Sequence, residues 1–207
     1  ALLLAEKGYR LVLTGRRADR LEAVAAACGK LGAEVYTLCF DIQDRRAVEA
    51  AFNSLPEEWQ NIAVLVNNAG LSQGLNPVHE GDWGDWDRML DTNVKGLLYA
   101  SRWVSRGMIA RGSGHILMVS SIAGKEVYAN GNVYCASKHA VEAIVKSMRL
   151  ELNAYGIKVS SIAPGLVETE FSQVRFKGDQ ARAAQVYMGY APLRAQDVAE
   201  AVLFMIN

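Results

Sequence analysis

Ile62-Ala63-Val64-Leu65-Val66-Asn67-Asn68-Ala69-Gly70 is the stretch whose reading sets the architecture. Its apolar residues follow one another without polar alternation, which predicts a strand buried on both faces. The amides and glycine at its carboxyl end predict a sharp exit into a loop. Strands of the same kind recur at Leu11-Val12-Leu13, Val35 to Phe40, His115 to Ser121, and Ile157 to Ala163, the last stopped by Pro164-Gly165. Helical spacing fills the intervals. Leu21, Val24, Ala25, Cys28 and Leu31 form one stripe, with Gly32 as the stop. Asp44 caps a helix running to about Leu55, and Pro56 ends it. Asp82, with Asp85 as its capping-box partner, opens a long helix from Trp83 to about Arg111. Further helices are predicted over Asn132 to Tyr155 and Asp197 to Ile206. Apolar strands alternating with helices predict the α/β class, a doubly wound parallel sheet with helices on both faces.

The composition narrows the function classes. At 207 residues with 51% apolar and 21% charged content, the chain can bury a full core, which excludes disordered and fibrous classes. It has no repeat and no linker, so residues 1–207 read as a single domain. Lys plus Arg and Asp plus Glu are both 22, so no net field draws the chain to nucleic acid. The apolar runs are too short to span a membrane, and Ala1-Leu2-Leu3-Leu4-Ala5 lacks the marks of a secretory signal. Cys28, Cys39 and Cys135 have no metal-ligand spacing and read as reduced thiols, which fits a cytoplasmic protein. His79, His115 and His139 share no ligand spacing either, and Asp82, Asp85 and Asp87 lack the glycine and glutamate of a calcium loop. No metal is expected.

In a doubly wound sheet the chemistry lies at the carboxyl ends of strands. Tyr134 and Lys138 stand at i and i+4 on a predicted helix, so they share a face. An ammonium beside a phenol favours the phenolate and lowers its pKa from about 10. A tyrosine tuned in that way can exchange a proton with a carbonyl or an alcohol. Ser121 ends the preceding strand, thirteen residues before Tyr134, and its hydroxyl can hold the same substrate oxygen. Taken alone, such a pair also occurs by chance on helix surfaces, and Ser120 competes with Ser121.

The motifs in their order decide more. Tyr134-Cys135-Ala136-Ser137-Lys138 after Ser120-Ser121-Ile122-Ala123-Gly124 resembles the active site of the short-chain dehydrogenase/reductase family. Asn67-Asn68-Ala69-Gly70, Asn93-Val94-Lys95-Gly96 and Pro164-Gly165-Leu166-Val167-Glu168-Thr169 resemble three more of its motifs, and Asp41 stands where the family places an aspartate beside adenine. The resemblance implies a Rossmann-type NAD(P)-dependent oxidoreductase. It makes Tyr134 the general acid/base, Lys138 the group that lowers the tyrosine pKa and binds the nicotinamide ribose, and Ser121 the carbonyl-orienting hydroxyl, which favours it over Ser120. Asn93 would hold a water linking Lys138 to solvent, against the plainer reading of a helix amide satisfying backbone groups. Asp41, Ile42, Asn68, Ala69, Gly70, Pro164, Gly165, Val167 and Thr169 would line the cofactor.

After the first of the strands, the place where an acid would favour NAD reads Thr14-Gly15-Arg16-Arg17. Arginine matches a phosphate bidentately, so NADP (NADPH) is expected, with Arg16 and Arg17 around the 2′-phosphate. The segment Glu168 to Asp179 resembles the NADP-dependent 3-hydroxy acid dehydrogenase branch, which acts on serine, allo-threonine and malonic semialdehyde. Arg175 is the candidate cation for a substrate carboxylate; the alternatives are a solvated charge or a pair with Glu168. A carbonyl reductase for neutral ketones, sugars or steroids, and a non-catalytic NADP-sensing member, are the rival readings. The resemblance further implies a homotetramer or homodimer formed through the two long helices. It also implies a first strand with a Gly-rich turn and a last strand, neither of which the sequence contains. The natural chain is therefore expected to continue at both ends, by about fifteen residues at the start.

Overall fold

A computed structural model describes all 207 residues. In chain order its principal elements are α1 (Leu2–Glu6), β1 (Leu11–Gly15), α2 (Ala18–Lys30), β2 (Val35–Cys39), α3 (Arg45–Asn53), β3 (Val64–Asn67), α4 (Trp83–Leu90), α5 (Leu97–Arg111), β4 (Gly114–Val119), α6 (Asn132–Leu152) and β5 (Ile157–Ile162). After β5 come β6 (Val167–Glu168), α7 (Phe171–Arg175), α8 (Gln180–Gln185), β7 (Leu193–Arg194) and α9 (Ala195–Ile206). Every strand pairing is parallel. Each predicted strand and helix is present.

The strands are divided. β1 pairs with β2, and β3, β4 and β5 form a second sheet in that order. β4 is the middle strand of the larger sheet, and Ile116, Leu117 and Met118 on it are fully buried. Burial of each side chain of this size is worth about 1.5–3 kcal/mol. Val104 and Met108 of α5 and Val141 and Val145 of α6 join the same core. The two long helices and the strand carrying Ser120 and Ser121 at its end are thus fixed to one another. No helix is long and apolar enough to cross a membrane.

Two local readings need correction. The helix predicted from Trp83 to Arg111 is continuous in path, but Asp91–Gly96 within it is π-helical. Such wide turns are rare and frequently sit at functional sites. Gly96 ends this stretch against Ile42, where a Cβ would come within 2.9 Å of the isoleucine side chain. Asp82 does cap α4, accepting from the Asp85 amide. Asp85 does not act as its box partner, because its buried carboxylate pairs instead with Lys177, at 2.9 Å. The short β6–β7 pair has no periodicity to predict it, since each strand has only two residues.

Candidate active site

Tyr134 and Lys138 lie on α6 and both are buried. Helical spacing puts them on one face, as expected, but the lysine is not directed at the phenol oxygen. Its Nζ donates to the Val119 carbonyl at the end of β4, at 2.9 Å, and lies 6.0 Å from the centre of the tyrosine ring. Burial lowers the Lys138 pKa to about 8. Tyr134 departs from expectation. Burial pushes its phenol above the ordinary value, and the nearby Ser121 hydroxyl and Arg175 guanidinium only partly oppose that. Lys138, whose Nζ is committed to the Val119 carbonyl, does not offset this rise.

Ser121 caps the short turn Ile122–Gly124, its Oγ accepting from the Ala123 amide at 3.1 Å. Asn93 lies in the π-helical turn and is nearly fully buried. Its Oδ1 accepts from the Leu71 amide at 2.9 Å, and its Nδ2 donates to the Leu71 carbonyl at 2.8 Å and to Ser137 Oγ at 3.0 Å. The carboxamide thus holds the loop after Gly70 against α6. Asn67 is likewise structural, tying β3 to Ser101 of α5 at 2.9 Å.

Tyr134 is the wall between two cavities. On one side is a cleft of about 890 Å³. Its lining includes Arg16, Arg17, Asp41, Ile42, Asn68, Ala69, Gly70, Ser121, Lys138, Pro164, Gly165, Val167 and Thr169, so the sequence-predicted cofactor residues converge. Arg20, one helical turn beyond Arg17, also lines it; the i, i+3 spacing could have revealed this third guanidinium. The arginines are not free. Arg16 stands 3.6 Å from Asp41, while Arg17 and Arg20 pair with Glu170 at 2.9 and 3.0 Å. On the other side of Tyr134 is a pocket of about 220 Å³, lined in part by Arg175, Asn132, Trp86 and Asp85. Arg175 does not pair with Glu168. Its Nη2 donates to the Tyr128 hydroxyl at 2.8 Å and its Nε to the Gly74 carbonyl at 3.4 Å. No group of three or more His, Cys, Asp or Glu side chains converges as a metal site.

A model of the short chain dehydrogenases matches residues 1–180. The chain belongs to the short-chain dehydrogenase family. Among its relatives in that family, the NADP-dependent 3-hydroxy acid dehydrogenase of Salmonella typhi is 45% identical over 198 residues, covering 95% of this chain and 79% of the relative. A probable NADP-dependent dehydrogenase of Haemophilus influenzae is 46% identical over 203 residues, covering 98% and 79%. The sulfoacetaldehyde reductase 2 of Chromohalobacter salexigens is 39% identical over 201 residues, covering 97% and 79%. The closed form of a serine dehydrogenase complexed with NADP+ superposes with a TM-score of 0.93 at 43% identity, covering 98% of this chain and 81% of that one. These homologues establish the Rossmann-like short-chain dehydrogenase fold.

Proposed function

We propose that the protein is an NADP-dependent oxidoreductase for small 3-hydroxy acids and the corresponding aldehyde or keto acids. The observation that carries this reading is the position of Tyr134 between a large cleft with three arginines at its rim and a small pocket holding Arg175. The relatives named for NADP and for 3-hydroxy acids support it.

The cleft fits the dinucleotide by the chemistry of its donors. Arg17 and Arg20, with Arg16 beside them, would take the 2′-phosphate, which would share or replace the Glu170 carboxylate. Asp41 and Ile42 would flank the adenine, Asn68 to Gly70 the neighbouring ribose, and Lys138 the nicotinamide ribose. Pro164, Gly165, Val167 and Thr169 would line the nicotinamide end. Bound nicotinamide supplies the hydride acceptor or donor. Ser121 holds the substrate oxygen, and Tyr134 exchanges a proton with it. Because burial keeps the phenol protonated at neutral pH, Tyr134 begins as the acid, the form that carbonyl reduction uses. Arg175 fixes the acid group of the substrate, and a pocket of about 220 Å³ limits it to a few carbons.

The test is NADPH oxidation with malonic semialdehyde and NADP reduction with serine, run beside neutral ketones and with NAD in place of NADP. Turnover with the acids and a higher kcat/KM with NADP are expected. Preference for neutral ketones would favour the general carbonyl reductase, and a clear NAD preference would overturn the arginine assignment. We further infer a homo-oligomer built on α5 and α6, supported by the exposed Leu98 and Leu150 on those helices; light scattering giving a monomer mass would refute it.

A further inference from the structure

The helix that carries Tyr134 and Lys138 bears a third buried polar group. Glu142 lies one turn beyond Lys138, so the three occupy i, i+4 and i+8 of one face. Nothing in the proton chemistry proposed above uses it. Its side chain is only 8% exposed, and burying a carboxylate is costly unless it is paired. The partner is Lys125, whose ammonium reaches Glu142 Oε2. Lys125 directly follows the turn Ile122–Gly124 that Ser121 caps. Burial pushes the Glu142 carboxyl up, but the Lys125 ammonium outweighs that and holds it below the ordinary range, while Oε1 and the neighbouring Ser120 hydroxyl have no hydrogen-bond partner. It is an anion at neutral pH.

The turn and the helix also touch through backbone. A Cβ on Gly124 would come within 2.8 Å of the Lys138 carbonyl oxygen and 3.1 Å of Glu142 Cγ. Only glycine permits this approach, and the ion pair closes over it. The position of the turn in turn sets Ser121, whose Oγ accepts from the Ala123 amide within the same turn. We propose that the Glu142–Lys125 pair clamps the Ser121 turn onto the Tyr134 helix, which makes Glu142 a positioning residue. Its kinetic readout rests on the oxidoreductase reading; its structural readout does not.

A positional role and a purely electrostatic one differ in sign. Along the helix Glu142 is about 12 Å from Tyr134. If its charge alone acted, removing it would ease ionisation of the phenol. If it acts as a clamp, removing it takes away the help of Ser121, and the phenol titrates at higher pH. The other groups that bear on Tyr134 are Lys138 and Cys135 on its own helix, Tyr128 from the loop before α6, and Arg175 from α7. The substitutions below leave all of them in place.

The variants are Glu142→Gln, Lys125→Met and the pair combined. Lys125 is half exposed, so its replacement carries the rate test should the buried variant fail to fold; loss of its cation would itself raise the phenol, so the sign of the titration is read from Glu142→Gln. With NADP and a 3-hydroxy acid, each single variant should lower kcat about tenfold while leaving the cofactor KM unchanged, and the double variant should lose no more than either. Lys125→Arg should restore the rate. In the cofactor-free protein, the Tyr134 titration is followed by NMR of labelled tyrosine ring carbons, assigned with Tyr134→Phe. It should move up in Glu142→Gln and Lys125→Met, in the same direction as in Ser121→Ala. A titration that stays put or moves down, or losses that simply add, would overturn the clamp. Absence of any wild-type turnover would sink the oxidoreductase reading instead, and the titration would still decide the clamp.

Discussion

The cleft of about 890 Å³ on one side of Tyr134 is lined by the carboxyl ends of five parallel strands, whereas the pocket of about 220 Å³ on the other side is lined by loops, α4, the start of α6 and the α7–α8 segment. The cleft takes its shape from the two parallel sheets, whose strand ends all line it. The pocket takes its shape from side-chain pairs between distant segments: Lys177 with Asp85, Arg175 with Tyr128 and with the backbone of Gly74. The first arrangement is set by architecture and the second by a few polar contacts. Cofactor binding should therefore tolerate change near the pocket, and substrate choice should respond to it.

The largest effect is expected where the two sides meet. Tyr134→Phe removes the one hydroxyl they share and should lower kcat about 10³-fold, as loss of a general acid does. Cofactor affinity, measured by NADPH fluorescence, should persist. A residual rate near wild type would break the assignment of the proton donor.

On the cleft side, Lys138 should leave a mark on stability. Its folded pKa of about 8 lies below the ordinary 10.5. Below pH 8 the ammonium is charged in both states, and the burial penalty is present in full. Between pH 8 and 10.5 the folded chain releases this proton while the unfolded chain keeps it, so the penalty is relieved as pH rises, by about 3 kcal/mol. Chemical denaturation at pH 7 and pH 10 should show the wild type gaining on Lys138→Met. A gap that widens instead would contradict the buried ammonium.

Still on the cleft side, Arg17→Ala combined with Arg20→Ala should cut kcat/KM for NADP by about ten- to a hundredfold and leave NAD nearly unchanged. Equal losses with both cofactors would show that the guanidiniums serve Glu170 and the fold rather than a phosphate. On the pocket side, Arg175→Ala should raise KM for hydroxy acids about tenfold, with neutral ketones unaffected. Equal effects on both substrate types would put the acid group elsewhere.

The same contrast explains what could be read from the residues. The strand and helix order was legible because apolar runs and helical stripes repeat over many residues, and the cleft followed because its lining sits next to strand ends such as Gly70 and Pro164-Gly165. Tyr134, Lys138 and Ser121 were legible as a motif, but their electrostatics were not. Helical spacing gives a shared face; it says nothing of burial, which here raises the phenol and lowers the ammonium. The pairing of Glu170 and of Asp85 was not legible, because their partners lie 150 and more than 90 positions away, and a local pattern carries no trace of such pairs.

The π-helical turn at Asp91–Gly96 has a consequence for phase. A wide turn carries one residue more than an α-helical turn, so α4 and α5 are rotated against each other by about 100° relative to an uninterrupted helix. Deleting one residue within the turn would heal the helix and improve its hydrogen bonding. It would also swing every side chain on one flank around the axis, and either Asn93 would leave Leu71 or Val104 and Met108 would leave the core. The irregular turn is thus a phase adapter. It lets one continuous helix present a polar amide to the site at one end and an apolar stripe to the sheet at the other.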